Sequence, residues 1–190
     1  RSHALGEDER AITAWHEAGH ALVQLLTPGT DPLHKVTIIP RGRALGATMS
    51  LPEKDILNHS RTYFLDQLRV CCAGRIAEEM FTGDFSTGAA QDIMTATKIA
   101  REMVCKYAMS DKFGFQSFYE NSRFSPEIQM PQFSEETSQL IDAEVKRLVD
   151  EAYIDAKRIV KENKAALEAL ATKLLEKETM SLEEVQEIVK

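Results

Sequence analysis

Two histidines and a glutamate lie within five residues of each other in the segment His16-Glu17-Ala18-Gly19-His20. On a helix, residues four apart project from the same face about one turn apart, so both imidazoles could bind one metal ion. The glutamate beside the first histidine could then reach a water on that metal and accept its proton. The combination of a Lewis acid, an activated water and a base predicts a zinc peptidase.

The flanking sequence favours a buried helix over a chance match or an ordinary surface helix. Acidic residues at 7–9 are typical of a first helical turn, and Thr27-Pro28-Gly29 provides a stop. Gly19 costs a helix interior about 1 kcal/mol relative to alanine, so we expect another segment to pack closely against it. The apolar residues that would bury this helix are Ile12, Trp15, Leu22, Val23 and Leu26.

A catalytic zinc takes three protein ligands, so a third residue must join the two histidines. A third histidine at metzincin spacing is excluded because position 26 is leucine. Spacing alone does not choose among the remaining candidates, which are Glu78, Glu79, Asp92, His34 and His59.

Composition predicts an ordinary globular chain. Its 190 residues are 43% hydrophobic and 28% charged, and the net charge of −7 disfavours nucleic acid as a partner. No apolar run approaches the ~20 residues of a membrane span, and no signal peptide opens the sequence, so we expect a soluble fragment without membrane contact. Three cysteines (Cys71, Cys72 and Cys105) form a poor disulfide framework and indicate buried thiols in a reducing compartment.

Periodicity predicts an α+β fold that is mostly helical: a zinc-binding helix, a small β-hairpin or sheet, and a C-terminal bundle of long helices. We expect one domain over 1–190, with a catalytic part at about 1–108, a connecting loop at about 109–133 and a helical part at about 134–190. The predicted strands are 35–39 and 44–51, joined by a turn at 41–43. The predicted helices are 61–81, one capped by Thr87 that runs to 107, 135–163, 164–177, and a last one opened by the capping box Ser181–Glu184.

Four short blocks of the chain, at 16–20, 34–42, 74–79 and 86–93, read HEAGH, HKVTIIPRG, GRIAEE and STGAAQDI. In order and spacing they resemble the peptidase domain of FtsH-type ATP-dependent metalloproteases, and the similarity extends over nearly the whole chain. Four blocks are far more specific than the first alone.

The resemblance implies that His16, His20 and Asp92 bind one zinc ion. It implies that Glu17 is the general base, and that Glu78 orients a ligand histidine through its free ring N–H. Under this interpretation Glu79, His34 and His59 have structural or surface roles.

The resemblance also implies partners. Family members carry transmembrane segments and an AAA+ ATPase module, and only that module uses ATP; neither is present between Arg1 and Lys190, as expected of an excised domain. We therefore expect a homo-hexamer acting on unfolded or membrane-extracted proteins. The parent protein is expected in a bacterial inner membrane with this domain facing the cytoplasm, or alternatively in an organellar membrane.

The segment 44–51 is the candidate substrate strand, because small residues at Gly46, Ala47 and Thr48 would let a peptide pair with an exposed edge. A hairpin paired only within the domain is the alternative. Two other functions compete with the peptidase: a catalytically silent hexamerisation or scaffold module with a structural metal, and an amidohydrolase for a small formylated peptide. The first would have no need of Glu17, and the second would lack the other three blocks.

Overall fold

The computed structural model describes residues 6–42, 44–51, 58–119 and 133–189. The predicted mostly helical α+β class is confirmed, and none of the described helices is long and apolar enough to cross a bilayer. In chain order the elements are α1 (Glu7–Leu26), β1 (Leu33–Thr37), β2 (Ala47–Ser50), α2 (Arg61–Thr82), α3 (Ala90–Cys105), α4 (Glu135–Glu162), α5 (Lys164–Lys177), β3 (Thr179–Ser181) and α6 (Leu182–Val189).

Helix α1 is the central element of the first of two hydrophobic cores. Its small and aliphatic residues Ala14, Ala18 and Leu22 are fully buried among side chains of α2, α4, α5 and the sheet. Three acidic residues occupy its first turn, where they interact favourably with the helix dipole. Helix α1 is therefore held on several sides, and its polar residues are fixed in orientation by this packing.

Gly19 lies where α1 crosses α2. A Cβ atom added there would be 2.6 Å from the carbonyl oxygen of Ala73 and 2.7 Å from Cβ of Ala77. The expected close packing against Gly19 is confirmed: the two helices approach more closely than any side chain at position 19 would allow.

The sheet has three antiparallel strands in the order β2-β1-β3. The predicted strand 35–39 begins two residues earlier, because Leu33 is already buried and paired with Ser50. It also ends two residues earlier, at Thr37, and the N–H of Ile38 donates to Glu178 O. The second predicted strand, 44–51, is shorter than expected, at Ala47–Ser50. Strand β3 was not predicted, since three residues are too few to show a period. Among the described strands β2 pairs only with β1, so its other edge is free.

Serine side chains cap the 3₁₀ turn before α3 and the start of α6. The predicted N-cap at Thr87 is wrong: the side chain of Ser86 accepts from Gly88 N at 3.2 Å and caps a 3₁₀ turn, Thr87–Ala89, which leads into α3. The predicted capping box is confirmed, since Glu184 N donates to Ser181 Oγ at 3.3 Å and the Glu184 carboxylate accepts from Ser181 N at 3.5 Å.

A second hydrophobic core joins α2, α3 and α4. The described start of the predicted connecting loop packs against it: Ser110 Oγ donates to the buried Glu144 at 2.7 Å, and Phe118 N donates to Cys105 O at 2.7 Å. Residues 120–132, the greater part of the remaining loop, lie outside the described residues. Helix α4 contributes side chains to both cores, Ala156 and Val160 to the first and Ile141 to Ala152 to the second.

The Gly19→Ala variant tests the helix crossing. We expect a net loss of about 2 kcal/mol in the free energy of unfolding. A methyl group forced against backbone atoms costs about 3 kcal/mol, the upper part of the usual range, and this exceeds the gain of about 1 kcal/mol in helix propensity. Urea denaturation measures the change. In the control Gly6→Ala nothing lies within 4 Å of the new Cβ, and the expected loss is below about 1 kcal/mol. A stabilised Gly19→Ala protein would contradict the close crossing.

Candidate metal centre

Three donor atoms from two helices meet at one point. His16 Nε2 and His20 Nε2 are 3.0 Å apart, and Asp92 Oδ2 lies 3.1 Å from the first and 3.0 Å from the second. The histidines come from the same face of α1, and Asp92 comes from the first turn of α3. Side-chain exposures of 12%, 9% and 27% show that the cluster is largely withdrawn from solvent, with Asp92 the most accessible.

The other ring nitrogen of each histidine fixes where its proton resides. His16 Nδ1 is 2.7 Å from Glu78 Oε2, and His20 Nδ1 is 2.7 Å from the carbonyl oxygen of Val70. A carboxylate and a carbonyl can only accept, so both Nδ1 atoms carry the hydrogen and, in neutral rings, both Nε2 atoms present lone pairs. Together with the Asp92 oxygen, three electron-pair donors then converge without a proton between them. This arrangement fits a cation such as zinc, which prefers these ligand types.

In the metal-free chain a proton on His16 supplies the positive charge among the three donor atoms. Burial lowers the pKa of His16, but hydrogen bonds to Asp92 and Glu78 outweigh burial and raise the pKa to about 10. Burial raises the pKa of Asp92, while hydrogen bonds from His16 and His20 hold it well below its ordinary value. The cluster therefore attracts positive charge, and a metal ion must compete with the His16 proton.

Glu78 connects His16 to the loop before α3. Its side chain is almost fully buried; one carboxylate oxygen faces His16, and the other accepts from Ser86 Oγ at 2.6 Å. Burial raises the pKa of Glu78, and the hydrogen bonds from His16 and Ser86 lower it by more, so the carboxylate stays charged. Sequence reasoning missed Ser86, although it opens the block that contains Asp92.

Gly74 is a second residue that sequence reasoning missed. A Cβ atom there would lie 2.5 Å from His20 Nε2 and 2.6 Å from both Cε1 and Nε2 of His16. The backbone of α2 thus forms one wall of the cluster, and only glycine leaves room for the two rings. The available signal was a glycine inside the helical pattern of 61–81, where it costs about 1 kcal/mol.

Glu17 lies beside the cluster with its side chain directed into a cleft. It is 8% exposed, and its Oε2 accepts a hydrogen bond from Thr48 Oγ1 at 2.7 Å. The cleft has a volume of about 980 Å³ and is bounded by α1, the segment around β2, and the first turns of α3. Besides the cluster residues, its walls include Ile12, Thr13, Gly46, Ala47, Thr48, Val70, Cys71 and Thr95.

The remaining candidate ligands lie apart from the cluster. His34 is exposed on β1, and His59 is exposed and stacked on Tyr63 with ring centroids 4.0 Å apart. Within the described ranges, one group of three or more His, Cys, Asp or Glu residues has ligand atoms close enough together to hold a metal ion. It comprises His16, His20 and Asp92 and does not include Glu79.

All three cysteines are free thiols. Cys72 and Cys105 are buried as expected, whereas Cys71 is half-buried and lines the cleft. Burial raises the pKa of Cys71 and of Cys72 to about 12, so both thiols are protonated at neutral pH.

A helix bearing two histidines and a glutamate, completed by a carboxylate from another helix, defines the site as that of a metallopeptidase-type domain. The sequence profile of peptidase family M41 matches residues 3–188, and the chain belongs to that family. It is 49% identical to the ATP-dependent zinc metalloprotease FtsH 2 of Methylacidiphilum infernorum, 45% identical to the FtsH protease of Nitrosococcus oceani and 46% identical to that of Protochlamydia amoebophila.

Each of these alignments covers all of this chain but only part of the relative. The covered share is 30% of the first two relatives and 21% of the third. The chain therefore spans less than a third of the length of these proteases.

Proton release on metal binding tests the cluster. Because His16 keeps its proton up to a pKa of about 10, zinc must displace it at pH values of about 8, and the apparent affinity should rise about tenfold per pH unit between about pH 7 and 9. Calorimetry in two buffers of different ionisation enthalpy should give about one proton released per zinc at pH values near 8.

The exposed His34 provides the matched control, since His34→Ala should leave proton release and affinity unchanged. A binding heat that is independent of the buffer would contradict the charged state assigned to His16.

Proposed function

We propose that this chain is a zinc-dependent endopeptidase domain that hydrolyses peptide bonds of unfolded polypeptides. The observation that carries the proposal is the convergence of two histidine nitrogens and one carboxylate oxygen beside the buried Glu17 carboxylate, in an open cleft. Membership of peptidase family M41 and the names of the relatives support it.

His16, His20 and Asp92 would hold the zinc ion. Zinc bound there would lower the pKa of a water molecule to about 7 and polarise the carbonyl of the scissile bond. Two neutral imidazoles and one carboxylate leave part of the coordination sphere open for water and substrate, as catalytic sites do.

Glu17 and Glu78 have separate tasks. The Glu17 carboxylate takes a proton from the attacking water and donates it to the nitrogen of the leaving amine. Glu78 holds the His16 ring through the Nδ1–H and keeps its Nε2 lone pair directed at the cluster. The hydrogen bond from Ser86 fixes Glu78 in turn.

The free edge of β2 would hold the substrate backbone at Gly46, Ala47 and Thr48. These residues line the cleft that contains Glu17, and an extended peptide pairing with this edge would pass the metal cluster. Backbone pairing is indifferent to side-chain identity, which suits a protease that degrades many unfolded or membrane-extracted proteins.

A silent scaffold with a structural metal fits this geometry less well. Structural zinc sites close with four protein ligands, whereas the described residues bring three to the cluster and place a buried carboxylate next to it.

An ATPase module and a membrane anchor belong to the proposal for the whole protein. The relatives are named ATP-dependent, and the chain covers at most about a third of them, which leaves ample length for further modules. We propose a homo-hexamer below an AAA+ ring in a bacterial inner membrane, with this domain on the cytoplasmic side and an organellar membrane as the alternative. Ile154, 66% exposed on α4, is a candidate contact between subunits.

Two isosteric variants separate the base from the ligand. Glu17→Gln should abolish cleavage of an unstructured fluorogenic peptide while leaving about one zinc per chain, because only the proton acceptor is lost. Asp92→Asn should weaken zinc binding about tenfold or more, because it removes the anionic ligand. Peptidase assays and metal analysis measure both, with Glu79→Gln as the control.

Normal cleavage by Glu17→Gln would overturn the base assignment. Unchanged zinc affinity in Asp92→Asn would remove Asp92 from the ligand set.

Backbone methylation of the substrate tests pairing with β2. Methylating one amide nitrogen at a time should raise KM at every second position, because successive N–H groups of a strand point to opposite sides and only one set faces β2. A series of singly N-methylated peptides of one sequence supplies the measurement, with the scissile amide left unmodified. If methylation left KM unchanged, or raised KM equally at every position of the peptide, strand pairing would be ruled out.

A further inference from the structure

One face of the segment 46–50, which contains β2, lies against α1 at three alternate positions. A Cβ atom at Gly46 would be 3.0 Å from Cγ of Glu17, and two residues on, Thr48 Oγ1 donates to Glu17 Oε2 at 2.7 Å. A further two residues on, Ser50 Oγ accepts from Gln24 Nε2 at 2.6 Å. Alternate residues of a strand share a face, so a slip of one residue in register would turn the Thr48 hydroxyl away from Glu17.

The contact between Thr48 and Glu17 is a charge-assisted hydrogen bond. The hydroxyl has one proton, and the carboxylate at 2.7 Å is a closer and stronger acceptor than the backbone carbonyl of Glu17 at 3.3 Å. In the part of the chain that the structure describes, no second group donates to the Glu17 carboxylate. Threonine is branched at Cβ, so its hydroxyl is held in few rotamers.

We infer that Thr48 is a positioning residue for Glu17. It anchors one carboxylate oxygen, Oε2, and so leaves Oε1 with a fixed direction for proton transfer. This inference rests on the proposed peptidase function, and it assigns to the Thr48 side chain a task exerted through Glu17, separate from any backbone contact with substrate.

The position of Thr48 on the edge strand gives this contact a second effect. A peptide that pairs with the free edge of β2 restrains the strand that carries the hydroxyl, and the hydroxyl in turn restrains the carboxylate. Substrate binding thereby orders the base at the moment when it is needed. A loosely held base would lose rate, because a misplacement of about 1 Å in a reacting group can lower turnover by about 10²-fold.

Thr48→Val deletes the hydroxyl and keeps the side-chain shape, whereas Thr48→Ser keeps the donor. In the zinc-loaded chain with an unstructured fluorogenic peptide, we expect Thr48→Val to lower kcat about tenfold, which is a part of the ~10²–10⁴-fold that a general base contributes. KM and zinc content should be unchanged. Thr48→Ser should retain most of the activity, and Thr172→Val, the same change on α5, should behave as wild type.

Three results would overturn the inference. A raised KM at constant kcat would mean that the hydroxyl binds substrate. Equal impairment of Thr48→Ser and Thr48→Val, or loss of zinc from Thr48→Val, would mean that the residue is structural.

Crystal structures of the metal-free variants give a readout independent of activity. The Glu17 carboxylate should be displaced by about 1 Å or more in Thr48→Val, a shift of the size that affects catalysis, and should stay in place in Thr48→Ser. A carboxylate unmoved in Thr48→Val overturns the inference. If wild type cleaves no peptide, the proposed function fails, and these structures still decide the role of Thr48.

Discussion

The mutual approach of three electron-pair donors is the constraint on which the rest of this structure depends. His16 Nε2, His20 Nε2 and Asp92 Oδ2 lie 3.0–3.1 Å apart, a spacing that is repulsive unless positive charge sits among them. Helix α1 supplies the first two atoms by its own periodicity. The third comes from α3, so the cluster also ties two helices together. Any cation there stabilises the fold as well as the site.

Orientation at the cluster depends on residues that are not ligands. Glu78 and the carbonyl of Val70 accept hydrogen bonds from the two Nδ1–H groups, which directs both Nε2 atoms toward the position of a cation. Both acceptors belong to α2, the same helix whose backbone at Gly74 abuts the rings. Helix α2 therefore determines the tautomers and the ring positions together, although it contributes no donor atom to the cluster itself.

The sequence predicts most of this arrangement where the signal is local. The helices begin and end close to their predicted positions, because apolar periodicity marks their extent and the capping box at Ser181–Glu184 marks the start of α6. Strand β3 escaped prediction because it exists only through pairing with β1. The choice of Asp92 could not come from spacing, since it depends on how the 3₁₀ turn at Thr87–Ala89 directs α3 toward α1. The hydrogen bond of Thr48 to Glu17 could not be predicted from the sequence either. It depends on the register between β1 and β2, which no single segment encodes.

The α1–α2 crossing is made of residues without compressible side chains: Gly19 faces Ala73 and Ala77, and Gly74 faces the imidazoles. Such a contact cannot adjust to added volume, because backbone atoms and a methyl group meet across it rather than the ends of flexible side chains. One extra carbon atom at the crossing would therefore act as a wedge and spread the helices, with no change to any residue that performs chemistry. Substitutions that disrupt the site therefore need not fall on its donor residues or on Glu17. A mutational survey restricted to those residues would miss the helix crossing.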